Sequence, residues 1–195
     1  ALTSSPLNTV VQNTDAITVQ FGESCGGFTT VALSTVNPTT AAIPAANTCG
    51  TITNGTAGVL GTPLVISNCD SAHIFRASAG DTQNKDNTAT ATSALGKTYP
   101  IGSEIMLFRS YTYFIRENPA GQPALYRLDN NVATTVAPVE LVEGIENMQI
   151  TYGIDTDANG SANQYVVTPA DWTQVTSVRV VLTARSIEDN IAATE

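Results

Sequence analysis

EIMLFRSYTYFIR, residues 104–116, is the stretch that decides the fold. Ile105-Met106-Leu107-Phe108 is continuously apolar, and Tyr111-Thr112-Tyr113-Phe114-Ile115 is aromatic and β-branched. Such side chains suit a pleated, half-buried surface. Asn118-Pro119-Ala120-Gly121 then supplies turn residues, and Ala124-Leu125-Tyr126-Arg127-Leu128 runs back. The two runs read as a β-hairpin.

The same period-two logic extends in both directions. Upstream, Ile17, Val19 and Phe21 alternate to one face of a strand that Gly22 is expected to end. Further strands are expected over residues 28–33, 63–67 and 73–77. Residues 34–62, rich in Thr, Ala, Asn and Gly, read as a loop or short edge strands, and residues 78–97 as an exposed loop. Downstream, residues 148–152 and 165–168 read as strands. So do residues 177–184, with Val178, Val180 and Leu182 on one face and Arg179 and Thr183 on the other. Two segments point to helix. Residues 139–145 suit one or two turns, and Pro169-Ala170-Asp171-Trp172 resembles a helix start, with Pro tolerated in the first turn. Trp172 is expected to plug the core. With no repeat and no shift in composition, residues 1–195 read as one domain. The fold class is α+β, mainly antiparallel β with one or two short helices.

Bulk properties narrow the function. The chain has 195 residues, 42% hydrophobic and 13% charged, enough to bury a core and too apolar for a disordered polyelectrolyte. A net charge of −9 and six scattered arginines argue against a nucleic-acid footprint. No apolar run approaches the ~20 residues that span a bilayer. Cys25, Cys49 and Cys69 include no Cys-x-x-Cys pair, so zinc is poorly supported. One structural disulfide and one leftover thiol is the simplest reading, paired Cys49–Cys69 or alternatively Cys25–Cys69, and it implies an oxidising compartment.

Candidate chemistry gathers in Asp155-Thr156-Asp157-Ala158-Asn159-Gly160-Ser161-Ala162-Asn163. The order Asp-x-Asp-x-Asn-Gly matches the first half of an EF-hand loop. Asp155, Asp157, Asn159 and Asn163 would give side-chain oxygens to calcium, and Ser161 a carbonyl. Position twelve is Val166, which cannot supply the closing bidentate carboxylate. The competing reading is an Asx-rich turn between two strands. Catalysis finds little footing. His73, the one histidine, lies in the apolar run Ala72-His73-Ile74-Phe75 and reads as a hydrogen-bonded, partly buried side chain. Glu140, Glu143 and Glu146 read as a solvated acidic edge. No Gly-x-Ser-x-Gly elbow is present. The aromatic residues Phe108, Tyr111, Tyr113, Phe114 and Tyr126 divide between packing and a candidate docking patch.

The run Glu140-Leu141-Val142-Glu143-Gly144-Ile145 leads into Met148-Gln149-Ile150-Thr151-Tyr152-Gly153 and the Asp-rich turn. With Asp171-Trp172, Val175 and Ser177-Val178-Arg179-Val180, it resembles the signature block of PilW-type minor pilins. Asp15-Ala16-Ile17-Thr18-Val19 and Val65-Ile66-Ser67-Asn68-Cys69 are similar to two weaker landmarks. The resemblance implies a pilin-like globular head lacking the N-terminal helix, which in the parent would anchor it in the inner membrane. It implies no enzyme. It implies a minor pilin at the periplasmic face and then at the pilus tip. There it would join other minor pilins and a tip adhesin to initiate type IV pilus assembly, and so serve adhesion and twitching motility. Alternatives are a type II secretion pseudopilin, or a secreted calcium- or carbohydrate-binding β module.

Overall fold

A computed structural model describes residues 9–29, 41–42, 52, 61–78, 88–91, 95, 97–131 and 137–186. Its first strands are β1 (Ile17–Phe28), β2 (Ala41–Ala42), β3 (Pro63–Ser67), β4 (Ala72–Ser78) and β5 (Thr88–Ala91). The hairpin strands are β6 (Glu104–Glu117) and β7 (Pro123–Asp129). Then come β8 (Val139–Glu143), β9 (Ile145–Ile154), β10 (Gln164–Val166) and β11 (Val175–Ala184). Pairing is antiparallel throughout the registered strands.

The α+β expectation is corrected: among the described residues there is no α-helix, and Trp172–Gln174 is a single 3-10 turn. Asp171 caps that turn, its carboxylate accepting from the Thr173 amide at 2.9 Å. The β-branched run Val175-Thr176 then carries the chain straight into β11. Of residues 139–145, expected as helical turns, Val139–Glu143 pair instead with β7, from Ala124 opposite Glu143 to Arg127 opposite Val139. Gly144, at φ 80°, swings the chain from β8 into β9. That left-handed conformation costs glycine little. No described helix is long and apolar enough to cross a membrane.

The chain divides into two compact units, and the long strand β6 contributes residues to both. One unit comprises Val19–Tyr111 and Asn130–Thr134. Here β4 pairs with β5 and β3, and β3 with the start of β6, from Leu64 opposite Leu107 to Ser67 opposite Glu104. Its core joins Leu64, Ile66, Phe75, Ala77, Leu95, Tyr99, Ile105 and Leu107 with Cys25. Two expectations change. β5 lies inside the stretch 78–97 that reads as loop. β1 runs through Gly22, where a Cβ would sit 2.8 Å from the Met106 sulfur. The glycine therefore makes room for a neighbouring side chain rather than ending a strand. Residues 30–33, most of 34–62 and much of 78–97 lie outside the described residues.

The other unit comprises Ala1–Thr18, Thr112–Asp129 and Thr135–Glu195. Here the hairpin holds, closed by the Asn118 amide donating to the Gln122 carbonyl at 2.8 Å, with Gly121 at φ 76°. Successive residues of β6 feed two apolar clusters. Phe114 packs with Ala124 and Tyr126, while Ile115 packs with Ile145, Met148 and Ile150. That division explains why residues 112–115 are apolar without clean alternation. β9 is the central strand of a three-stranded sheet ordered β10-β9-β11.

Candidate functional site

The candidate site is the end of the β10-β9-β11 sheet and the turn beside it. β9 ends at Ile154, and Asp155 organises the turn that leads on to β10. One Asp155 carboxylate oxygen accepts from the amides of Asp157 at 3.2 Å and Asn159 at 3.3 Å. The other accepts from Gly160 at 2.7 Å. The Gly160 amide, foremost, holds the Asp155 carboxyl below the usual carboxylate range, against the opposing effect of its burial. Asn163 closes the turn: its side-chain oxygen accepts from the Thr156 amide at 2.8 Å, and its own backbone amide donates to the Ile154 carbonyl at 2.9 Å. Asp157 accepts from the side-chain amides of Asn159 at 3.1 Å and Asn163 at 3.3 Å.

All five predicted ligand residues, Asp155, Asp157, Asn159, Ser161 and Asn163, therefore share one turn. Most of their oxygens already accept hydrogen bonds, including Asn159 from the Ser161 amide at 2.8 Å. Among the described residues no group of three His, Cys, Asp or Glu side chains is placed to hold a metal. The hydrogen bonds from the Asp157 and Ser161 amides are of the Asx-turn kind.

Beside it lies an apolar and aromatic surface. Val178, Val180 and Leu182 sit opposite Tyr152, Ile150 and Met148, so all six share a face. Ile150 and Met148 are buried, but the three β11 side chains are exposed. Trp172, expected in the core, is 58% exposed and meets Tyr152 edge-on at 4.8 Å between ring centroids. On the opposite face the Arg179 guanidinium lies 3.6 Å from the Tyr165 ring centroid. Tyr165 and Ser177 are both opposite Gly153, and their hydroxyls are 3.3 Å apart. A Cβ at Gly153 would fall 2.2 Å from the Ser177 hydroxyl and 2.7 Å from Ala162. The glycine thus lets Tyr165 and Ser177 approach across β9. The Ser177 hydroxyl first, then Arg179, lower the Tyr165 pKa.

Other sequence candidates lie elsewhere. His73 is half-buried and hydrogen-bonded through Nδ1 to the Tyr99 hydroxyl. Phe114 and Tyr126 stack in the core, so they are packing residues. Glu140 accepts from the Tyr126 hydroxyl at 2.8 Å, and Glu143 from the Asn118 side-chain amide at 2.9 Å. Burial first, then that Glu140 bond, raise the Tyr126 pKa. The Cys69 thiol is free and exposed, which removes both pairings drawn from the sequence, since each used Cys69. It sits in the turn between β3 and β4 at φ 71°, whereas Cys25 is buried with its sulfur 3.8 Å from the Ile105 carbonyl. Cys49 lies outside the described residues. Asp15 enters the sequence reading only as the first residue of a weaker family landmark, with no role of its own. It pins the start of the chain to β9: its carboxylate accepts from the Ile150 amide at 2.7 Å, and its backbone amide donates to the Met148 carbonyl at 2.8 Å.

The model of the family described as Type IV Pilus-assembly protein W matches residues 112–195. This supports the PilW resemblance carried by residues 140–186, over that part of the chain. The family's description names type IV pilus assembly. No curated protein matches the chain, and no solved structure does.

Proposed function

We propose, from the PilW-family match of residues 112–195, that this chain is the extracytoplasmic head of a minor pilin. It helps initiate a type IV pilus within a tip or priming complex, together with other minor pilins and a tip adhesin. Its parent stands at the periplasmic face of the inner membrane, held by an N-terminal helix, and passes to the pilus tip. The observation that carries this reading is the exposed row Val178, Val180 and Leu182, continuous across β9 with buried Ile150 and Met148. An apolar row left open beside a core is a surface that gains from being covered. A contact between unlike subunits need not be self-complementary, so it can start a filament without repeating along it.

The test replaces Val178 and Val180 together with Asp in the full-length parent, in cells lacking the wild-type copy. Pili are counted by electron microscopy. Piliation is expected to be lost while the purified head keeps its melting temperature within a few degrees. Normal piliation would refute the reading, and loss of secretion with pili intact would transfer it to a pseudopilin.

Calcium binding by the Asp155–Asn163 turn is a further part of the proposal. Its support is the gathering of Asp155, Asp157, Asn159 and Asn163 around one turn. A flat calorimetric titration of the intact head with calcium would remove it.

A further inference from the structure

Arg116 stands near the end of β6, its backbone bridged antiparallel to Val10. Its guanidinium carbon lies 4.1 Å from the centroid of the Tyr126 ring. Its Nε is buried without a hydrogen-bond partner, and the side chain forms no ion pair among the described residues. This is unusual in a chain of net charge −9. Of the nearby acids, Glu140 bonds the Tyr126 hydroxyl, on which Arg116 also acts, and Glu143 holds Asn118. Arg116 also lines an open pocket of about 540 Å³, together with Thr9, Val10, Val11, Gln12, Glu117 and Asn118.

We propose that this pocket binds a carboxylate through the terminal nitrogens of Arg116. Because Nε is enclosed, the end of the fork is what remains for a ligand: two N–H groups that match the two oxygens of a planar carboxylate. The Tyr126 ring holds the guanidinium from one face and fixes its direction. Water can fill the same space, but it brings no charge to balance the cation. A dianion such as phosphate fits less well, because Glu117 lines the pocket and Glu140 is bonded to the same Tyr126. The carboxylate comes either from a free small acid or from an acidic side chain of another polypeptide. The proposal does not depend on the pilus reading.

The experiment follows the Arg116 Nε–H and Val11 amide resonances of the head by NMR at constant ionic strength. The probes are acetate, a blocked dipeptide with one glutamate, and its glutamine counterpart. Acetate and the glutamate peptide are expected to shift both resonances to saturation, while the glutamine peptide and matched chloride leave them unmoved. At least tenfold tighter binding of the peptide assigns the ligand to a polypeptide, and equal affinity assigns it to a free acid. In Arg116→Lys, which keeps the charge and loses the fork, the Val11 shift is expected to disappear. Absence of a saturable shift overturns the proposal, as does an equal shift with chloride or one that survives in Arg116→Lys.

Discussion

β9 and β11 lie side by side in one sheet, paired from Val175 opposite Ile154 to Ala184 opposite Ile145. Both are rich in apolar side chains, yet their fates differ. β9 buries Ile145, Met148, Ile150 and Ile154, whereas β11 leaves Val178, Val180, Val181 and Leu182 more than two-fifths exposed. The difference is cover: Ile115, Val11 and Ile17 pack on the β9 cluster, to which no residue of β11, at the sheet edge, belongs. Alternation assigns side chains to faces, but a face is buried only when another layer covers it. The strand that looks most like core by composition can therefore be the one that faces outward.

The largest effect should come from trading one side chain for its neighbour across that pair. Met148 is 1% exposed and Leu182, directly opposite, 45%. Met148→Ala should cost about 2–5 kcal/mol, the range for emptying a packed site. Leu182→Ala should cost under about 1 kcal/mol, because the side chain already meets water. Urea unfolding of the two variants checks this, and equal losses would mean that β11 is covered in solution.

Gly153 offers a middle-sized test of why the strands can lie so close. A Cβ there would collide with the Ser177 hydroxyl and Ala162. Gly153→Ala should therefore destabilise by about 1–3 kcal/mol, as overpacking does. Gly153→Ala combined with Ser177→Gly should recover part of that loss, measured by thermal unfolding. No recovery would place the strain at Ala162.

The hairpin was legible because local chemistry and long-range pairing agree there. Aromatic and β-branched residues fill 111–115, and Asn118-Pro119-Ala120-Gly121 turns the chain. β9 and β11 were legible for the same reason. The helical reading of residues 139–145 failed because Glu140, Glu143 and Glu146 recur at a spacing of three, which mimics a helix face. What overrules that spacing is pairing with β7, the strand immediately before it in the chain. Trp172 misled by its size: a large aromatic is a core residue on average, but this one caps an edge beside Tyr152. At the candidate site, the spacing of Asp155, Asp157, Asn159 and Asn163 announced a shared turn. It could not announce that the backbone amides would claim the oxygens first.

That competition sets the smallest expected effect, at the point where β9 hands over to β10. Asp155 is favoured in its charged form by the Gly160 amide above all, so its folded pKa is depressed. A depressed acid adds stability above its unfolded value of about 3.9, and that contribution is lost as pH falls through the lower folded value. In an acid titration followed by NMR, the Gly160 amide proton should keep its hydrogen-bonded shift below pH ~3.9 and move only further down. In Asp155→Asn the acceptor charge is gone, and the same resonance should show no such step. The strand pair β9–β11 should be untouched, because its ladder does not use this carboxylate. If the whole sheet unravels with the Gly160 step, then the turn supports β9 and the contrast between the two strands depends on it.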